Sequence, residues 1–190
     1  MNIRIATIAA SFAVAMTAAL APSMAPAQEQ VVQVGGAPMF PSKNIVENAV
    51  NSKVHTTLVA AVKAAGLVDT LMSPGPFTVF APVNTAFDKL PAGTVPTLLK
   101  PENKATLAGV LTYHVVSGKL SANDLRARVQ SGGGKATLKT VQGGTLTVTA
   151  PSRNSLRVVD SKGRGSNITI ADVNQSNGVI HVVDGVLLPK

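Results

Sequence analysis

The chain has 190 residues and a formal net charge of +8, with 17 Lys and Arg against nine Asp and Glu. It contains no Cys, which excludes disulfides, thiolate metal sites and a lipid-modified cysteine anchor. Beyond Phe87, Tyr113 is the only aromatic residue, so the chain offers little surface for stacking on bases and we expect no nucleic-acid partner.

The first residues are typical of a secretory signal peptide. Arg4 supplies a basic start, an apolar run extends over residues 5–21, and Ala25-Pro-Ala27 matches the small-x-small cleavage pattern. An uncleaved membrane anchor is the alternative, but the run is short for the roughly 20 residues of a spanning helix and no basic flank follows it. We therefore predict a signal peptide over residues 1–27, export to the periplasm or the extracellular space, and no membrane span after cleavage.

A flexible leader and then one domain are predicted after the cleavage site. Residues 28–41 contain Gly35, Gly36 and two prolines and show no periodic apolar pattern, so we expect a mobile leader there. Residues 42–190 are of ordinary length for a single domain. Helical spacing of apolar residues, with caps at Ser42, Asn84 and Ser121, predicts short helices over residues 42–48, 56–65, 67–72, 84–90, 101–114 and 121–129.

The pattern changes to short β-rich runs in the second half of the chain. After an early strand over residues 77–81, further strands are predicted over residues 136–141, 145–149, 156–160, 168–173 and 179–183, separated by turns rich in Gly, Asn and Ser. A helical half followed by a strand-rich half is an α+β pattern. We expect the helices of the first half to pack on a twisted, mainly antiparallel sheet from the second half.

Three segments, in this order, resemble the fasciclin domain family. Residues 77–87 and 177–189 resemble its two signature boxes, and Tyr113-His114 resembles its central Tyr-His pair. The resemblance extends over residues 42–190 and implies a fasciclin-like fold and a non-enzymatic, adhesion-type function in extracellular or periplasmic proteins. Structural roles are expected for the residues of the boxes: Phe77, Phe80, Pro82, Asn84, Phe87, His181, Asp184 and Gly185.

The resemblance also implies candidate interaction residues. Tyr113 and His114 match a Tyr-His neighbourhood that is implicated in integrin binding in animal fasciclin-domain proteins. Residues 170–174 align with a second implicated motif, Glu-Pro-Asp-Ile-Met, of which Asp172 is kept and Val173 is a mild replacement. Other positions of that motif differ, so we do not expect integrin recognition as such. A structural role for Tyr113 and His114 is the alternative, because His114 continues the apolar face of its helix.

Positive charge is concentrated between residues 119 and 164. Nine Lys and Arg lie there against Asp124 and Asp160, so a basic surface is predicted. It could attract an acidic polysaccharide, lipopolysaccharide phosphate or an anionic protein; the alternative is a solvated face that only aids solubility. The nine residues are Lys119, Arg126, Arg128, Lys135, Lys139, Arg153, Arg157, Lys162 and Arg164.

Sequence motifs of catalysis are missing. Residues 131–135 resemble a phosphate-binding loop only superficially, because its preceding Gly and following hydroxyl are missing, and the acids are scattered. His55, His114 and His181 do not have metal-ligand spacing. We therefore predict no enzyme activity, metal or cofactor, and leave the oligomeric state open. The predicted function is adhesion through a cell-surface or matrix protein or an acidic polysaccharide; the alternative is a carrier or sensor of an apolar or anionic small molecule.

Overall fold

The computed structural model describes residues 30–190, so the predicted signal peptide lies outside the described residues. Within that range the β-strands are β1 (Val32–Val34), β2 (Ala37–Met39), β3 (Phe77–Pro82), β4 (Val115–Ser117), β5 (Lys135–Lys139), β6 (Thr145–Ser152), β7 (Ser155–Val159), β8 (Gly165–Gln175) and β9 (Gly178–Val183). The α-helices are α1 (Ile45–Ala49), α2 (Thr56–Ala65), α3 (Val68–Met72), α4 (Asn84–Asp88), α5 (Thr94–Leu98), α6 (Lys104–Tyr113) and α7 (Ala122–Ser131). A short 3-10 turn, Pro101–Asn103, precedes α6.

A seven-stranded sheet in the order β4-β3-β9-β8-β7-β6-β5 forms the centre of the fold. All neighbouring strands are antiparallel except β3 and β9, which pair in parallel with Phe80 opposite His181. The α+β class with a mainly antiparallel sheet is therefore confirmed. One detail differs, since β3 and β4 come from the helical half. Every residue of β9 is buried, as expected for a strand covered on both faces.

The two edges of the sheet meet at one end. Val116 of β4 bridges Thr140, and the Val141 N–H donates to the Val115 carbonyl at 2.8 Å. The remainder of β5 pairs only with β6 among the described strands, and α7 packs beside it. The sheet thus curls toward closure and leaves an opening between β4 and β5.

Apolar side chains form two main clusters on opposite faces of the central strands. Residues of α1, α2, α3 and α6 bury one face of β3 and β9. On the other side, Leu125 and Val129 of α7 pack with Phe80, Tyr113 and the inward-facing residues of β5 to β8. Phe80 and Tyr113 thus belong to the second cluster. Burial of apolar surface of this kind is the dominant favourable term in folding.

The prediction of a flexible leader is corrected for residues 32–39. Strands β1 and β2 form a hairpin there, and Val34 and Met39 are buried in the first cluster at 1% and 2% exposure. The Ser52 hydroxyl also donates to the Val34 carbonyl at 3.2 Å. A three-residue strand leaves too short a pattern for periodicity to detect, and Gly35 and Gly36, which suggested disorder, form the hairpin turn at positive φ.

The cap of the first helix also differs from its prediction. Asn44, not Ser42, caps α1, and its side chain accepts from the Val46 and Glu47 amides. Glu47 completes a capping box by accepting from the Asn44 amide at 2.8 Å. The predicted capping box of Ser121 and Asp124 at the start of α7 is present.

Candidate interaction site

Tyr113 lies at the end of α6 and is 1% exposed. Its hydroxyl donates to the Thr145 carbonyl at 2.6 Å and accepts from the Ser161 amide at 3.0 Å. The ring lies so close to Gly144 that a Cβ there would approach a ring carbon to 2.8 Å. Tyr113 therefore joins α6 to the turns that flank β6 and β7, and its phenol is not available to a partner.

His114 follows Tyr113 and is 2% exposed. Its Nδ1–H donates to the Val110 carbonyl at 2.8 Å, and its Nε2 accepts from the Leu187 amide at 3.0 Å. Desolvation by burial lowers the pKa of His114 to about 4, against smaller opposing effects of the Val110 carbonyl and Asp160. The ring is therefore neutral at pH 7, and it connects α6 to the end of the chain.

Asp160 supplies a polar centre that sequence reasoning missed. Its Oδ1 accepts from the Lys162 and Arg164 amides at 2.9 Å each, and its Oδ2 accepts from the Leu188 amide at 3.1 Å. The Arg164 guanidinium pairs with Oδ2 at 2.9 Å. Because Asp160 is 5% exposed, this carboxylate needs those partners. The Asp-x-x-Gly turn pattern over residues 160–163 was the available sequence signal.

Asp172 and Val173, the other predicted interaction residues, also serve the fold. Val173 is 1% exposed. Asp172 is half-buried at a φ of +57°, and its Oδ1 accepts from the Ala122 amide at 2.7 Å, which caps the start of α7. The His181 ring accepts from the Asp172 amide at 3.3 Å and donates to the Leu120 carbonyl at 2.8 Å. Burial lowers the pKa of His181, with smaller raising effects of Leu120 and Asp172.

The two boxes lie side by side in the sheet, as the parallel neighbours β3 and β9. Phe80 of β3 stacks on His181 of β9, with ring centroids 5.8 Å apart. Pro82 is buried at the end of β3, whereas Phe77 and Phe87 are half-buried and pack against the first apolar cluster.

Asn84 and Asp184 fix the ends of these strands. The Asn84 Oδ1 accepts from the Thr57 amide at 3.1 Å, so Asn84 caps α2. The prediction that Asn84 caps the helix that it begins is therefore wrong, since α4 has no side-chain cap. Asp184 accepts from the Asn167 amide at 2.7 Å and from its side chain at 3.0 Å. Gly185 lies close to Ser166, since a Cβ at Gly185 would approach the Ser166 Oγ to 2.4 Å and the Ser166 side chain would have to move.

The predicted basic surface lies mostly on the outside of the second half of the sheet. Eight of its nine residues are exposed and Arg126 is half-buried. Lys135, Thr149 and Arg157 are aligned across β5, β6 and β7 on one outward face. Arg164 is exposed but forms an ion pair with Asp160, so its charge contributes less to this surface than the other eight.

A groove follows the opening between β4 and β5. Lys119, Arg128 and Lys139 line it, and a second hollow with Lys135 adjoins it and shares Arg128. No acidic residue of the described chain lines either hollow. We call residues 116–120, Arg128 and residues 135–141 the basic groove.

A separate, apolar cavity lies in the first cluster. Its volume is about 50 Å³, far below the 300–1,000 Å³ typical of small-molecule sites. Its wall includes His55, which is 3% exposed and whose Nε2 lacks a hydrogen-bond partner in this structure. The cavity therefore gives no support to the carrier alternative. Residues 30–190 hold neither a helix able to cross a membrane nor a cluster of three potential metal-binding His, Asp or Glu side chains.

The fold and the site define the class of this protein. A seven-stranded, mainly antiparallel sheet has helices α1, α2, α3 and α6 on one side and α7 on the other, and it presents a basic groove. His114, Asp160 and His181 are buried in its interior. The sequence profile of the fasciclin domain matches residues 53–189. The chain therefore belongs to the fasciclin domain family, a family associated with the cell surface and adhesion.

Individual relatives agree with this assignment. Protein sll1483 of Synechocystis is 51% identical over 147 residues, which cover 76% of this chain and 73% of that protein. The cell surface glycolipoprotein MPB83 of Mycobacterium bovis is 36% identical over 146 residues, which cover 74% of this chain and 58% of that protein. A solved FAS1 domain pair from the insect cell adhesion molecule Fasciclin I superimposes with a TM-score of 0.70 at 19% identity, and the match covers 78% of this chain and 52% of that one. This last likeness concerns the fold.

Proposed function

We propose that this chain is an exported, non-enzymatic domain that attaches to a cell-surface or matrix partner carrying negative charge. The observation that supports this proposal most directly is the exposed basic surface on β5 to β7 and their connecting turns, which contrasts with the buried Tyr113 and His114. A cationic face increases the rate of encounter with anionic partners and fixes their orientation.

The chemistry of the interior supports a binding role over an enzymatic one. The buried His114 and His181 each use both ring nitrogens in hydrogen bonds to backbone groups. His55 has an unpartnered Nε2, but it lines a cavity of only about 50 Å³. A catalytic base needs a free nitrogen that faces a substrate. The relationship to a cell surface glycolipoprotein further supports export to the cell surface or the periplasm.

Deletion of the gene in the producing organism tests the proposal. We expect weaker attachment to surfaces, less cell aggregation and less biofilm, with recovery when the gene is returned. Normal attachment, aggregation and biofilm in the deletion strain would contradict an adhesive role.

A further inference from the structure

We propose that the basic groove binds an extended acidic polypeptide segment, which adds to the sheet as a further strand beside β5. This inference rests on the proposed function and names its site and the class of its partner. The first observation is the position of β5, which is the last strand in the sheet order. Its outer edge meets β4 only at Thr140 and Val141.

The backbone of β5 has hydrogen-bonding capacity to spare. In an antiparallel pair, alternate residues direct their N–H and C=O groups to the neighbouring strand and the others direct theirs outward. Among residues 30–190, no backbone bond outside the ladder with β6 and no side-chain bond uses the backbone of residues 135–139. The Lys135 carbonyl lies against Gly132 at the end of α7, so the open part of the edge is residues 137–139, which line the groove. An added strand would find both donors and acceptors there.

The opposite wall of the groove is held in place before any partner arrives. The Thr78 hydroxyl donates to the Gly118 carbonyl at 2.6 Å and accepts from the Leu120 amide at 2.9 Å. His181 donates to the Leu120 carbonyl at 2.8 Å, and the Gly118 amide donates to the Pro76 carbonyl at 2.8 Å. A wall that is already ordered lowers the entropic cost of binding.

The charges of the groove select an acidic occupant. Lys119, Arg128 and Lys139 form no ion pair within the described part of the chain. The acid on α7 is Asp124, which lies one turn before Arg128 and interacts with its charge, while its Oδ2 accepts from the Ser121 amide and hydroxyl. Three exposed cations around one groove therefore favour a segment of opposite charge.

A second copy of this chain does not fit the same edge. Antiparallel pairing of two β5 strands about their centres would place Lys135 of one copy opposite Lys139 of the other, and like charges directly opposite are destabilising. Lysines on an edge strand are a common protection against such self-association. The N-terminal residues 1–29 do not fit either, because Arg4 and Glu29 are their only charged side chains.

The register of β5 predicts the sequence pattern of the partner. Lys135, Thr137 and Lys139 are exposed, whereas Ala136 and Leu138 are buried. Side chains of an added strand would alternate in the same way, about 5 Å from their cross-strand neighbours. We therefore expect acidic residues at alternate positions, with small or apolar residues between them.

Isothermal titration of the full chain with short synthetic peptides tests this inference. The parent peptide has Glu at alternate positions with Thr or Val between; a scrambled peptide of equal charge groups the Glu residues together. Two further peptides carry backbone N-methyl groups on either the odd or the even residues. We expect the parent to bind, the scrambled peptide to bind at least about ten-fold more weakly, and only one of the two methylated peptides to lose binding, since only one edge of the strand faces β5.

The protein variants are matched in charge. We expect Lys135→Glu with Lys139→Glu to weaken binding about ten-fold or more, and Arg153→Glu with Lys162→Glu, exposed but outside the groove, to change it about two-fold at most at physiological salt. Hydrogen exchange should show new protection in the complex of those amides among residues 135–139 that face away from β6.

Several results would overturn the inference. Equal behaviour of the two methylated peptides, or of the parent and scrambled peptides, would show that no strand is added. Binding of alginate, an acidic polysaccharide, without binding of the parent peptide would assign the groove to a glycan. If none of these binds and a variant with Lys135→Thr and Lys139→Thr dimerises, the lysines only prevent self-pairing. In each of these cases, an attachment defect in the deletion strain would still support the proposed function. Peptide binding without an attachment defect would contradict the adhesive function but would leave the groove as a peptide-binding site.

Discussion

The Nε2 atom of His114 accepts a hydrogen bond of 3.0 Å from the backbone amide of Leu187, 73 residues later in the chain. This bond requires an unprotonated nitrogen, because the other ring nitrogen donates to Val110. Protonation of His114 therefore breaks the connection between α6 and the end of the chain.

The first prediction concerns acid. The pKa of His114 is lowered to about 4 by burial, while an unfolded His titrates near 6.5, so the unfolded state binds more protons between these values. The contribution of His114 to the free energy of unfolding is complete above pH 6.5. It falls as the pH drops, by about 3 kcal/mol at pH 4. Burial also lowers the pKa of His55 and His181, which adds in the same direction. Thermal unfolding at several pH values measures the effect, and a midpoint that stays flat from pH 8 to 5 would contradict it.

The second prediction separates a structural Tyr113 from an interaction residue. Tyr113→Phe removes the bonds to Thr145 and Ser161 and leaves the Ser161 amide unpaired. We expect a loss of about 1–3 kcal/mol in the free energy of unfolding, measured with denaturant. Attachment to a partner at a temperature where the variant is folded should be unchanged. Lost attachment at full stability would instead place Tyr113 in the binding surface.

The third prediction concerns Asn177, which joins three parts of the chain. Its Oδ1 accepts from the Ile45 amide at 3.1 Å, and its Nδ2 donates to the Leu71 and Ser73 carbonyls at 2.8 and 2.9 Å. We expect Asn177→Ala to lower the free energy of unfolding by roughly 2–4 kcal/mol, because buried backbone groups lose their partners. Asn154→Ala, at an exposed turn, is the control and should stay within about 0.5 kcal/mol. Similar stabilities of the two variants would refute this role.

The fourth prediction compares two glycines. A Cβ at Gly178 would approach the Phe77 carbonyl oxygen to 2.2 Å, where β9 begins beside β3, so Gly178→Ala should destabilise the fold by about 1–3 kcal/mol. Gly109 lies in α6 with no atom within 4 Å of a Cβ, and Gly109→Ala should stabilise the fold by about 0.5–1 kcal/mol. Denaturant unfolding of both variants measures the difference, and effects of equal sign would contradict the packing at Gly178.

Local pattern explains what could be predicted from this sequence. The α+β class, the strands after residue 135 and the helices α2 and α7 follow from periodicity and capping, which act over a few residues. The hairpin of β1 and β2 depends on the burial of Val34 and Met39 against distant elements, which the local pattern of two three-residue strands does not show.

The side-chain partners were less accessible to sequence reasoning. Asn84 has a capping side chain, but its partner is the Thr57 amide of another helix, 27 residues away. Asp160 and Asn177 likewise act across long sequence separations, which only the fold reveals. The basic groove combines local charge, visible in the sequence, with a partly open sheet edge, which is a property of the topology.

Complementation of the deletion strain tests the central claim, that the basic surface contacts an acidic partner, most directly. One strain produces the chain with Lys135→Glu and Arg157→Glu, which reverse two charges on the outward face of the sheet. The matched strain carries Lys53→Glu and Lys63→Glu, exposed positions outside the basic surface. With equal amounts of exported protein, we predict that the matched strain attaches like the wild type and that the first strain remains defective. Equal attachment of the two strains would contradict the claim.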